Sequence, residues 1–153
     1  MSAWWAYSRT ARVTTIDFYT NAAEPLKLAA KLVAKAYRMH MTVRVLTPDA
    51  SATATLDRLL WLDPPFAFLP HCRMQSPIAN ETPIWIDEAL EHAGPATVLV
   101  NLHPEPPPFF SRFERLAEVV GADEAQLLAG RTRYRFYRER GYELRQHDWS
   151  GRD

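Results

Sequence analysis

The chain has 153 residues, 47% of them apolar, and its 18 basic and 18 acidic side chains cancel to a formal charge of zero. That length and apolar share suffice for one core without cross-links, and the charge balance excludes the overall surplus expected of a general duplex-DNA or membrane-surface binder. Cys72 is the single cysteine, which excludes an intrachain disulfide, and no apolar run nears the roughly 18 residues of a membrane span.

Residues 1–12 contain Trp4, Trp5 and Tyr7 but neither a signal-peptide core nor a small-residue cleavage pattern, so they read as a short extension of a soluble, cytoplasmic protein. Residues 13–19, rich in β-branched and aromatic side chains, predict a first strand, and Pro25 after Glu24 suits a first helical turn. Leu26, Ala29, Ala30, Val33 and Tyr37 then recur at helical spacing, with Lys27, Lys31, Lys35 and Arg38 on the other side. Residues 41–47 predict a second strand, and Pro48-Asp49 starts a helix through Leu56, Leu59 and Leu60. The proline-rich stretch 61–71 allows only a short strand at 66–69, and residues 73–81 read as loop.

Residues 83–86 and 97–102 predict two more strands, the second nearly continuous in apolar character, as for a strand buried on both faces of a parallel sheet. Phe109, Phe110, Phe113, Leu116, Ala117 and Val120 predict a helix stopped by Gly121. Asp123 caps another that runs to Gly141, and residues 142–149 form a last strand. Alternation of strands and helices predicts an α/β fold, a three-layer sandwich around a mostly parallel sheet, in a single domain over residues 13–150.

Open parallel sheets often hold nucleotides at their strand ends. The five glycines here, Gly94, Gly121, Gly130, Gly141 and Gly151, are too dispersed for a Gly-x-Gly-x-x-Gly turn, and no Gly-Lys-Ser/Thr triplet is present. The five histidines show no short metal-ligand spacing and one cysteine cannot build a thiolate-rich zinc site, so neither metal nor cofactor is expected. His71 and Cys72, as neighbours in a strand, point to opposite faces and read as structural. Asp87-Glu88 and Asp123-Glu124 fall near element ends, where acids cap helices or face solvent. A hydrolase or transferase using His71 or His103 is the weakest reading, and the chain is taken as a non-enzyme.

Charge concentrates in one place: residues 131–145 hold six arginines against two glutamates. On a helix, Arg131, Tyr134, Arg135 and Arg138 lie at i, i+3, i+4 and i+7 and share a face, flanked by Arg133, Tyr137 and Arg140. Guanidinium forks bind carboxylates through paired hydrogen bonds and stack on rings, so the face suits an acidic peptide with an aromatic end. Phosphate satisfies the same donors, which keeps a direct single-stranded nucleic-acid-binding module as the alternative. A solvated face with its arginine stems over apolar neighbours is the plainer reading. Trp61, with Pro64, Pro65, Phe66 and Phe68, forms either an exposed protein-binding patch or a lid on the core.

In order and spacing, Phe18-Tyr19, Leu56-Asp57 leading to Trp61-x-x-Pro64, Phe68-Leu-Pro-His71, Pro83-Ile84, Val98-Leu-Val-Asn-Leu102 and Arg131-x-x-Tyr134-Arg135-x-Tyr137-Arg138-x-x-Gly141-Tyr142 resemble the chi family of bacterial DNA polymerase III subunits. The resemblance implies a nucleotide-binding-like fold without a nucleotide site, and a non-catalytic role in DNA replication within the clamp-loader-associated part of the holoenzyme. It implies two partners: the acidic C-terminal tail of single-stranded-DNA-binding protein, and the psi subunit with the clamp loader behind it, so that nucleic acid is reached mainly indirectly. By motif position, Arg131, Tyr134, Arg135, Arg138 and Tyr142 would hold the tail, and Trp61 and Phe68 would meet psi. Leu127 stands one turn before Arg131, where better-known members place a lysine. Residues 1–12 precede the family's usual start. A monomer, or a one-to-one complex with psi, is the expected state.

Overall fold

The computed structural model describes residues 13–62 and 69–152. Strand β1 (Thr15–Ala22) ends in a register irregularity between Tyr19 and Ala22. There Asn21 takes a φ of 60°, a left-handed conformation that asparagine tolerates better than most residues. Pro25 then opens α1 (Pro25–Arg38), with the missing proline N–H falling where a helix has no use for it. β2 (Val43–Leu46) leads to α2 (Ala50–Leu62), whose first turn is capped by the Asp49 carboxylate accepting from the Ala52 N–H at 2.8 Å.

The remaining elements are β3 (His71–Cys72), β4 (Ile84–Asp87), β5 (Val98–Asn101), β6 (Arg115–Gly121), α3 (Glu124–Glu139) and β7 (Leu144–Asp148), with 3₁₀ turns at Ala79–Glu81 and Phe110–Arg112. The seven strands form one sheet in the order β3-β4-β2-β5-β6-β1-β7, and every neighbouring pair is parallel. Strand alternation sorts the apolar residues into two cores. Val43, Val45, Ile84, Ile86, Val98, Val100, Ala117 and Val119 face α1 and α2 and meet Leu28, Val33, Leu56 and Leu60. Ile16, Phe18, Leu46, Leu99, Leu116 and Val120 form the other core, with Tyr137 from α3 and Phe109, Phe110 and Phe113. The result is the expected three-layer α/β sandwich, with a sheet that is wholly parallel.

Two sequence expectations need correction. The helix expected over residues 109–120 is instead a 3₁₀ turn followed by strand β6, hydrogen-bonded between β5 and β1. Its seven residues are all buried. A strand covered on both faces loses its polar alternation, so the spacing of Phe113, Leu116, Ala117 and Val120 imitates a helical stripe. The second correction concerns Asp87-Glu88. Asp87 is buried and accepts from the backbone N–H groups of Ala89 and Met74, at 2.9 and 3.1 Å. Glu88 accepts from Arg73 and Thr53, both at 2.8 Å, and these two bonds hold its carboxyl down at about 2. The pair therefore ties the end of β4 to α2 and to the segment after β3. The short strand expected at 66–69 falls mostly outside the described residues, among which the pairing of this segment begins at His71.

Arg44 is fully buried on the α3 side of the sheet. Its guanidinium donates to the carbonyls of Ala89 at 2.8 Å, His92, Ala93 and Asp87, and lies 5.3 Å from the Phe109 ring centroid. Burial pulls its pKa down to about 10, which leaves it charged at neutral pH. One side chain thus anchors the irregular segment that follows β4. His71 is buried, with Nε2 2.9 Å from Asp57 and Nδ1 2.6 Å from the Leu69 carbonyl, and Cys72 is half-buried.

Candidate functional site

Helix α3 begins with a reciprocal cap. Asp123 accepts from the Gln126 N–H at 2.8 Å, while the Gln126 side chain donates to Asp123 at 2.8 Å and accepts from the Gly121 N–H at 3.0 Å. At Gly130 the helix touches β6, since an added Cβ would sit 2.8 Å from a Val120 methyl. One and two turns on, Arg133 and Tyr137 continue this inward stripe to Glu118, which is 0% exposed. Glu118 accepts from Arg133 Nε at 2.8 Å, from Asn101 at 2.9 and 3.1 Å, and from the Tyr137 hydroxyl, and Arg133 also donates to the Pro104 carbonyl at 2.9 Å. Burial and the adjacent Glu118 carboxylate raise the Tyr137 pKa, so its hydroxyl stays a donor.

This network turns the helix. With Gly130, Arg133 and Tyr137 held against the sheet, Arg131, Tyr134, Arg135 and Arg138 line a pocket of about 430 Å³ over the β1 and β7 edge. Phe18, Val120, Leu127 and Gly130 supply its apolar floor, and Thr20, Asn21 and Gln146 its strand-side wall. The Tyr134 ring meets Phe18 edge-on at 5.2 Å, and the Arg138 guanidinium lies 5.8 Å from the Tyr134 ring centroid. The three arginines are exposed, and among the described residues none of them makes an ion pair. No carboxylate lines the pocket. Three unpaired forks over an apolar floor are prepared for an anionic ligand with a hydrophobic part.

Four of the five residues expected to hold the tail are therefore gathered, and one is not. Tyr142 follows Gly141, whose φ of +86° turns the chain at the end of α3, and its ring packs on Phe110 at 5.2 Å, apart from the pocket. Arg133 and Tyr137, expected to flank the basic face, are core residues bound to Glu118. The apolar spacing over residues 109–120 hides their role, because it puts Glu118 on a helix; a carboxylate inside a buried strand demands a partner. Trp61, at the end of α2, is 42% exposed and lies tilted on His71 at 4.4 Å, beside Leu62 at 66%. It is neither a full lid nor a free side chain. Phe68, with Pro64, Pro65 and Phe66, lies outside the described residues.

A second cavity, of about 470 Å³, opens beyond the strand ends where α/β sheets commonly bind nucleotides, but its lining is chiefly apolar, with Pro25, Leu26, Pro48, Ala52, Leu102 and Val119. Among the described residues no three His, Cys, Asp or Glu side chains cluster so as to hold a metal ion, and no helix is long and apolar enough to cross a membrane.

The family model described as DNA polymerase III chi subunit, HolC, matches residues 13–145. The chain belongs to the DNA polymerase III chi subunit family. It is similar to the DNA polymerase III subunit chi of Pseudomonas aeruginosa, with 34% identity over 139 residues that cover 88% of this chain and 96% of the relative. It is also similar to the subunit chi of Haemophilus influenzae, with 26% identity over 121 residues, 77% of this chain and 83% of the relative. Membership in the chi family makes it an accessory subunit of DNA replication, and the match spans β1 to β6, the Glu118 network and the whole of α3.

Proposed function

We propose that this chain is a non-catalytic cytoplasmic adaptor that docks the acidic C-terminal tail of single-stranded-DNA-binding protein in the α3 pocket and links it, through a psi subunit, to the clamp loader. The observation that carries this reading is the set of three unpaired arginines, Arg131, Arg135 and Arg138, around Tyr134 and above an apolar floor. A terminal carboxylate and neighbouring acids fit the guanidinium forks, and a terminal aromatic ring fits the space over Phe18, Val120 and Leu127. Leu127 makes that floor more apolar and removes one cation relative to better-known members, so more of the affinity falls on the three arginines. Trp61 and Leu62, exposed at the end of α2, supply apolar surface for psi at a separate element.

The test is calorimetric titration of a peptide matching the last residues of the host's single-stranded-DNA-binding protein. Arg131→Ala or Arg135→Ala should weaken binding by roughly 10- to 150-fold, the equivalent of a lost charge-assisted hydrogen bond of about 1.5–3 kcal/mol. Trp61→Ala should leave the peptide affinity unchanged while reducing co-purification with psi. Wild-type protein that ignores the peptide, or arginine variants that bind it normally, would remove the tail from this pocket.

A further inference from the structure

β7 is an edge strand, and its alternation serves two faces. Gln146 points to the α3 pocket, whereas Arg145, His147 and the following Trp149 point to the α1 side. On that side lies a third cavity, also of about 470 Å³, bounded by the last turns of α1. Lys31, Lys35 and Arg38 border it from the helix and Arg152 from the chain after β7, and no carboxylate is among its lining residues. Among the described residues Lys31, Arg38 and Arg152 make no ion pair. Tyr19 stacks on His147 at 4.7 Å and meets Trp149 edge-on at 5.8 Å, and the Arg152 guanidinium lies 4.9 Å from the Trp149 ring centroid.

We propose that this face is a direct contact site for single-stranded nucleic acid, with Lys31, Arg38 and Arg152 on the phosphates and Trp149 and Tyr19 against a base. Two features favour a polynucleotide over an acidic peptide end. Lys31 and Arg38 stand at i and i+7, which sets them about 10 Å apart along the helix, suited to an anion that repeats along a strand. Lys31 is a compact charge that serves a phosphate without the paired geometry a carboxylate rewards. The half-buried aromatic group between these helix cations and Arg152 then offers a ring surface, which every base can use regardless of sequence.

The site lies across the sheet edge from the α3 pocket and does not depend on the tail reading. The test is fluorescence anisotropy of the full chain with a labelled oligothymidylate of about 15 nucleotides, in about 50 and 200 mM salt. Three phosphate contacts predict a loss of affinity of about 18-fold over that salt range, and Lys31→Ala/Arg38→Ala, which leaves one, predicts about 2.6-fold. At fixed salt Trp149→Ala should weaken binding about 5-fold or more. Arg131→Ala/Arg135→Ala should bind the oligonucleotide as wild type does, even if the same variant shows the tail reading to be wrong. Circular dichroism of the Lys31/Arg38 variant checks its fold, and the salt slope identifies the contacts without reference to absolute affinity. The proposal is overturned if wild type does not bind the oligonucleotide, if binding follows the Arg131/Arg135 variant, or if the Lys31/Arg38 variant loses an acidic peptide and keeps the oligonucleotide.

Discussion

Arg133→Leu tests the claim that a buried ion pair orients the basic helix. Arg133 and Glu118 are both almost completely buried and meet at 2.8 Å. Removing the guanidinium strands a carboxylate that still accepts from Asn101 and Tyr137 but has lost its countercharge, and breaking a buried pair from one side costs about 3–5 kcal/mol. For a domain of this size that is a fall of about 10–20 °C in melting temperature. Urea unfolding followed by tryptophan fluorescence gives the free energy by linear extrapolation. Arg131→Ala, two residues away and exposed, is the internal control and should stay within about 0.5 kcal/mol of wild type. Glu118→Gln/Arg133→Leu should recover part of the loss, because a neutral amide oxygen can still accept from Asn101 and Tyr137. The reasoning fails if Arg133→Leu costs less than about 1 kcal/mol, or if the double variant is no more stable than the single one.

Glu88 makes stability pH-dependent in a defined window. Its carboxyl falls from an ordinary 4.5 to about 2 in the folded protein, held by Arg73 and Thr53. A depressed folded pKa stabilises the fold above the unfolded value, and that contribution disappears as pH drops from 4.5 toward 2. Melting curves should therefore show Glu88→Gln less stable than wild type at pH 7, with the gap closing across that interval; a gap unchanged at the acid end contradicts the assignment. Gly130→Ala should destabilise despite the better helix propensity of alanine, because its Cβ would stand 2.8 Å from a Val120 methyl and overpacking costs about 1–3 kcal/mol. Chemical denaturation of Gly130→Ala/Val120→Ala decides the cause, since removing the opposing methyls should lift the penalty.

Most of the architecture was legible because periodicity and caps agreed locally: Pro25 opened α1, Asp123 capped α3, and β-branched runs marked β1, β2, β4 and β5. β6 was not, since a strand buried on both faces spaces Phe113, Leu116, Ala117 and Val120 like a helical stripe. That error carried forward. With Glu118 misplaced, Arg133 and Tyr137 had no visible partner and were left on the helix flank, although Arg131, Tyr134, Arg135 and Arg138 follow from helical spacing alone. Tyr142 shows the limit of reading a site from a linear motif, because Gly141 turns the chain and sends the ring to Phe110. Asp17 is a parallel case: its partners Arg115, Arg145 and His147 come from two distant strands, at 3.4, 3.1 and 2.9 Å.

The place of β1 near one edge of the sheet has a consequence for the newborn chain. Its neighbours are β6 and β7, with Thr15 opposite Arg115 and Ile16 opposite Leu144, separations of 100 and 128 residues. At translation rates of about 5–20 residues per second, the first strand waits roughly 6 to 25 seconds for its outer neighbour. Local pairing cannot shorten that interval, because neither neighbour of β1 lies close to it in the sequence. Because the α3 pocket joins Phe18 to Arg131, Tyr134, Arg135 and Arg138, a chain that stops before α3 has its floor residue but no pocket.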